Sequence, residues 1–198
     1  MKFLKYSAFT LSLFFSSLAF YACQNKSVET TNPNADSLAV HSTAADSQML
    51  PPTQFPSLEA MMADIGDYAT YQVKGQDQVE VTSNVPNSAD AAYIEKTIKI
   101  DLLKVAYRTF IHTNLDKVTV TAVVNATIEG KEKQEVRTLT FERNAALEAL
   151  KKNLNLSDFK ELVGNKMGDL YRPNMQNANF ETLIEAKLEA VYNDLQAK

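Results

Sequence analysis

Cysteine and histidine carry much of the nucleophilic, proton-transfer and metal chemistry available near neutral pH. This 198-residue chain has one cysteine, Cys23, and two histidines, His41 and His112. His112 falls where a long apolar-periodic segment ends, a place that suits a histidine because of the helix dipole and the last free carbonyls. A general base there would need a nucleophile or an acid beside it. The sequence marks neither. No serine sits in a glycine-flanked elbow, and no cysteine follows Cys23, so acyl-transfer constellations lack support. Zinc prefers Cys and His ligands, and His112 is the only such residue beyond residue 56. Glu181, Glu185 and Glu189 recur at i, i+4 spacing and could gather a hard cation, but calcium sites draw their oxygens from a compact loop. An exposed acidic helix face is ordinarily solvated. No metal or cofactor is therefore expected.

Two carboxylates would suffice for glycoside hydrolysis. With 21 acids beyond residue 56, nothing in the spacing selects a pair. The most site-like stretch is Gly164-Asn165-Lys166-Met167-Gly168-Asp169-Leu170-Tyr171-Arg172-Pro173, which joins backbone freedom to charge and an aromatic ring. Its plainer reading is a helix connector with Tyr171 tucked onto the core.

Cys23 has a more informative setting. Lys2 and Lys5 open the chain, an apolar run extends from about Phe9 to Phe20, and Tyr21-Ala22-Cys23-Gln24 follows. A cationic start, an apolar core of roughly 7–15 residues and a small residue before the cut make a secretory signal. A membrane span needs about 20 apolar residues, and this run is shorter and diluted by Thr10, Ser12, Ser16 and Ser17. With Ala22 and Cys23 closing the run, residues 1–22 resemble a bacterial lipoprotein signal peptide. Ser17-Leu18-Ala19 offers an ordinary secretory cut as the alternative. The resemblance implies that Cys23 becomes the first residue, with a thioether-linked diacylglycerol and an acylated amino group. Several chains anchor firmly, at about 0.8 kcal/mol per buried methylene. Gln24, which is not aspartate, implies the outer membrane of a two-membrane cell, facing the periplasm. Asn125-Ala126-Thr127 matches a glycosylation acceptor, read as chance in a bacterial strand.

These residues need elements to hold them. Removing residues 1–22 takes away two lysines and no acid, so the formal charge moves from −4 to −6. Without a basic stripe, nucleic acid is not an expected partner. Residues 23–56 are rich in Asn, Ser, Thr, Ala and Pro and read as a tether behind the lipidated cysteine, with His41 solvated within it. Residues 57–198 have the size of one domain. Ser57 opens a short helix that Gly66 stops, and segments 68–73 and 78–83 form a hairpin around Gly75. The longest helix spans about 88–112. Ala91, Ile94, Ile98, Leu102 and Val105 make one apolar stripe, and Ile100, Leu103, Tyr107, Phe110 and Ile111 a second. Such a helix is sandwiched between layers, or else it presents the second side to a partner.

An antiparallel hairpin at about 117–143 should lie on that helix, since two strands alone are marginal. Asn144 caps a helix to about Asn153, Ser157 caps another that ends before Gly164, and 164–177 reads as a loop. A last helix places Phe180, Leu183, Ile184, Leu188, Val191, Tyr192 and Leu195 on one face. The fold class is α+β. The function expected is a membrane-tethered periplasmic lipoprotein that binds an envelope protein or component. The rival is a carboxylate-dependent glycan or peptidoglycan hydrolase.

Overall fold

The computed structural model describes residues 50–128, 130–167 and 170–197. Cys23, the 1–22 segment and His41 lie outside them. Helix α1, Leu58–Ile65, begins where Ser57 Oγ accepts from the Ala60 N–H at 3.2 Å, and it stops at Gly66, whose φ of 64° disfavours side chains. Strands β1 (Thr70–Val73) and β2 (Gln78–Asn84) form the expected antiparallel pair. Helix α2, Ala91–His112, starts at Asp90, whose carboxylate accepts from the Tyr93 N–H at 2.8 Å. Strands β3 (Lys117–Ile128) and β4 (Lys131–Glu142) form the long hairpin.

The two hairpins are halves of one sheet, ordered β1-β2-β3-β4, because β2 and β3 pair in parallel. A parallel pair needs a crossover connection, and α2 supplies it. The inner sheet face carries Val79, Val81, Val118, Val120, Ala122 and Val124, all buried. Ile94 and Ile98 of α2 lie beside Ile128 and Arg137 on that side. Arg137 also grips Glu95 with two bonds, at 2.6 and 2.8 Å.

The other side of α2 is covered too. Tyr107 Oη donates to the Ala146 carbonyl at 3.1 Å, and the Phe159 ring lies 6.0 Å from Tyr107 and 5.5 Å from Phe110. Leu103, Tyr107, Phe110 and Ile111 are buried, with Ile100 partly so. Burying each such side chain contributes about 1.5–3 kcal/mol. The second stripe is core, and a contact surface there is excluded.

Four local expectations change. Helix α3, Arg143–Leu154, follows β4 directly and Glu142, not Asn144, stands at its start without a side-chain cap. Arg143 instead turns back to α2, donating to the carbonyls of Leu115 at 2.8 Å, Phe110 at 2.9 Å and Thr113 at 2.6 Å. A cation on the last carbonyls of a helix is favoured by charge and hydrogen bonding together. Next, Asp158 rather than Ser157 caps a single 3-10 turn, Phe159–Leu162.

The predicted loop at 164–177 is a second sheet of β5 (Val163–Met167) and β6 (Leu170–Gln176). Pro173 falls where that register is irregular, which spares the ladder its missing N–H. The last helix divides into α4 (Ala178–Ile184) and α5 (Leu188–Gln196), with the expected residues inward.

Residues 50–56, read from composition as tether, include a segment fixed to the folded unit. Phe55 N–H donates to the His112 carbonyl at 2.8 Å, Gln54 Nε2 to the Ile111 carbonyl at 2.8 Å, and Thr53 N–H to Asn174 Oδ1 at 2.8 Å. The open carbonyls at the end of α2 hold this strap, a demand that composition does not display.

Candidate functional site

His112 ends α2 and is fully buried. Its Nδ1 lies 2.9 Å from the Thr53 carbonyl, and its Nε2 lies 3.4 Å from Arg108 Nη1. A carbonyl only accepts and a guanidinium only donates, so the neighbours select the neutral tautomer with its proton on Nδ1. Burial pushes its pKa below the usual 6.5; the bond to Thr53 opposes that, and the Arg108 charge adds to it. Both ring nitrogens are thus engaged by the protein's own groups.

Around it lies a buried ionic cluster that sequence reading did not find. Arg108 Nη1 donates to the Asn174 carbonyl at 2.9 Å, and its Nε lies 3.3 Å from Asp67 Oδ2. With its oxygen turned inward, the Gln176 amide accepts from Arg108 at 3.0 and 3.1 Å. Tyr68 Oη donates to Asp101 Oδ1 at 3.0 Å, while Asp101 Oδ2 has no hydrogen-bond partner. Burial raises the Asp101 pKa, opposed by hydrogen bonds from Ser83 and Tyr68 and by the Lys104 charge. Burial and then the Asp101 charge raise that of Tyr68. Shifted carboxyls are what a hydrolase would need. Asp67, Tyr68, Asp101 and Arg108 line none of five well-formed surface hollows, one of which reaches Asn174 at the edge of the cluster. This cluster ties α2 to β6 and to the segment before β1.

Glu95 and Glu135 line one hollow but are ion-paired with Arg137 and Lys133; another holds Asp158 and Glu161, together with Gly164 and Tyr171 of the site-like stretch. Both acids are committed to capping. Glu161 accepts from the Ser157 and Asp158 N–H groups at 2.7 and 2.9 Å, and Asp158 accepts from the Lys160 N–H at 2.9 Å. Those bonds hold the Glu161 pKa below its usual value, the wrong direction for a general acid. Glu181, Glu185 and Glu189 are exposed, the helix breaks between the second and third, and Glu189 pairs with Lys99 at 2.8 Å. Among the described residues no His, Cys, Asp or Glu group is placed to hold a metal.

What the molecule presents is the outer face of the four-stranded sheet. The β pleat sends Thr119, Thr121, Val123, Asn125 and Thr127 outward from β3. Their β4 partners are Thr140, Thr138, Val136, Gln134 and Glu132. From β2, Glu80, Thr82 and Asn84 continue the rows. The side chains are linked across the strands. Thr119 and Thr140 hydroxyls are 2.9 Å apart, as are those of Thr121 and Thr138. Gln134 Nε2 donates to Asn125 Oδ1 at 3.0 Å, and Asn125 Nδ2 to Asn84 Oδ1 at 3.1 Å.

At the amide end the face dips into a hollow of about 610 Å³. Val136, 55 % exposed, lies across from the nearly buried Val123. Charge is sparse, and Glu80 is already paired with Lys74 at 2.6 Å. In the sequence this face reads only as the alternate Thr, Asn and Gln positions of the strands, and ordinary β-propensity also favours the threonines.

Comparison of the chain with known protein families, with curated protein sequences and with solved structures finds no match.

Proposed function

We propose that the chain is a lipid-anchored, non-catalytic binding module of the bacterial cell envelope, held at the membrane through Cys23 and binding through the open sheet face. The observation that carries the binding reading is the face itself, a broad, sparsely charged layer of hydroxyls and amides cross-linked into fixed orientations. Ordering such groups in advance removes part of the side-chain entropy cost of association. The hydrolase alternative gains no support: Asp101, the described carboxyl whose pKa burial raises, lies in the interior, and the carboxylate pairs that line hollows are ion-paired or act as caps.

A photoreactive residue tests the face. Placed at Thr121 or Thr138 of the full chain in intact cells, it should yield light-dependent adducts; placed at Lys151 on the exposed side of α3, it should not. Equal labelling from both sides, or none from the face, defeats the reading. The anchor has its own arm: Cys23→Ser should release the chain from membranes, and a variant retained like the wild type overturns the lipid assignment.

A further inference from the structure

The hollow at the end of the open face has a distinctive lining. Asn84, Asn87, Asn125, Thr127, Glu132 and Gln134 surround about 610 Å³, a size within the roughly 300–1,000 Å³ of small-molecule sites. Three of the amides form a directional relay, Gln134 to Asn125 at 3.0 Å and Asn125 to Asn84 at 3.1 Å. A carboxamide has two N–H donors and one oxygen acceptor. The relay therefore orients each amide: Gln134 keeps its oxygen and one N–H, Asn125 keeps one N–H and the second lone pair of its oxygen, and Asn84 keeps both N–H groups and the second lone pair of its oxygen. Donors and acceptors alternate along a short, fixed line.

That alternation selects the ligand. Hydroxyl and acetamido groups donate and accept at once, so each can bond to neighbouring members of the relay. An anion would need surplus positive charge, yet the lining holds Glu132, and Lys133 is ion-paired with Glu135. A protein anchor would need an apolar pocket, and the apolar lining here is only Val85 and Ala126. The same connection leads to a hollow of about 190 Å³ formed with Pro86 and Tyr93, where Tyr93 is 50 % exposed. A tyrosine ring gives a flat apolar surface with a polar tip, suited to the C–H face of a sugar ring.

We propose that this hollow binds an uncharged oligosaccharide, with its hydroxyl or acetamido groups on the Asn84–Asn125–Gln134 relay and a neighbouring ring on Tyr93. The assignment rests on the open face being the binding face. Calorimetric titration of the detergent-solubilised full chain tests it with three probes: chitotetraose, maltotetraose and the anionic tetragalacturonate. At least one neutral tetrasaccharide should bind saturably and more tightly than the anionic one. Gln134→Ala and Tyr93→Ala should each weaken that binding about five- to tenfold, the worth of one or two polar contacts. Both residues are exposed, so neither variant threatens the fold. Lys151→Ala, on the exposed side of α3, should leave the affinity unchanged.

Preference for the anionic probe, or neutral binding indifferent to both hollow variants, overturns the proposal. No saturable binding of either neutral probe at millimolar concentration overturns it as well. If crosslinking from Thr121 persists in that case, the binding face survives and only the saccharide fails. If crosslinking is also absent, the face has failed with it.

Discussion

At the scale of single residues, the side chain that most resembled chemistry proves to be a clasp. His112 receives Arg108 on one nitrogen and holds the Thr53 carbonyl with the other. Its position at a helix end was legible from periodicity, and Arg108, four residues earlier, shares its helix face; Thr53, 59 residues away in the strap, was not legible, because nothing local in sequence records it. Its lowered pKa has a definite consequence for stability. The unfolded chain binds a proton on this histidine near 6.5, and the folded chain binds it only at lower pH. Stability from this site is therefore full above about pH 7 and falls as pH drops through 6.5 toward the folded value.

The charges facing the ring are Arg108, which opposes protonation, and Asp64 and Asp67, which favour it. Glu95 and Glu161, with pKa values below 4.5, act in a lower window. Asp101, raised from 3.8, has the opposite sign, contributing stability that declines as pH rises above 3.8. Denaturant melts between pH 7.5 and 5.5 should show wild-type stability falling with acid. His112→Gln should cost about 1–3 kcal/mol at pH 7.5, from disturbed buried bonds, and show a flatter profile. An equally steep profile in the variant would assign the dependence elsewhere.

At the scale of elements, α1 and the two hairpins of the main sheet were legible locally, whereas the starts of α3 and of the 3-10 turn, the break between α4 and α5 and the β5–β6 hairpin were not. Ser57, Gly66 and the alternation from Lys117 onward announced α1 and the long hairpin. The parallel β2–β3 pairing leaves no turn signal, so the two hairpins could not be joined. The β5–β6 hairpin was hidden by Gly164, Gly168 and Pro173, residues that ordinarily mark loops. Gly164 is there for a reason. Its φ is 91°, and a Cβ added to it would lie within 3.1 Å of the Tyr171 ring carbon and closer still to the hydroxyl.

Two penalties should therefore separate in a double-mutant cycle. Gly164→Ala should destabilise by about 2–4 kcal/mol, combining backbone strain with a clash. In a Tyr171→Phe background the hydroxyl is gone, and the same change should cost less by roughly 1 kcal/mol or more, a coupling expected of touching residues. Additive effects in thermal or denaturant melts would show that the hydroxyl does not constrain this turn.

For the whole molecule, the question is where the folding unit begins. Composition placed the boundary at Ser57, since Leu50 to Pro56 contains three prolines and little to bury. The structure favours an earlier start. Pro52 is buried, Phe55 packs against the core, and the strap satisfies the Ile111 and His112 carbonyls at the exit of α2. Arg143 closes the Phe110, Thr113 and Leu115 carbonyls from the other side. The end of the central helix is thus sealed by two segments distant in sequence, and each open carbonyl left buried would cost about 1–3 kcal/mol. A fragment of residues 50–198 retains the strap and serves as the reference. A fragment of residues 57–198 should remain folded around the sheet but lose about 2–4 kcal/mol, with faster amide exchange confined at first to the last turn of α2 and to β6. Equal stability of the two fragments would return residues 50–56 to the tether, and unfolding of the shorter one would make the strap a condition of folding rather than a seal upon it.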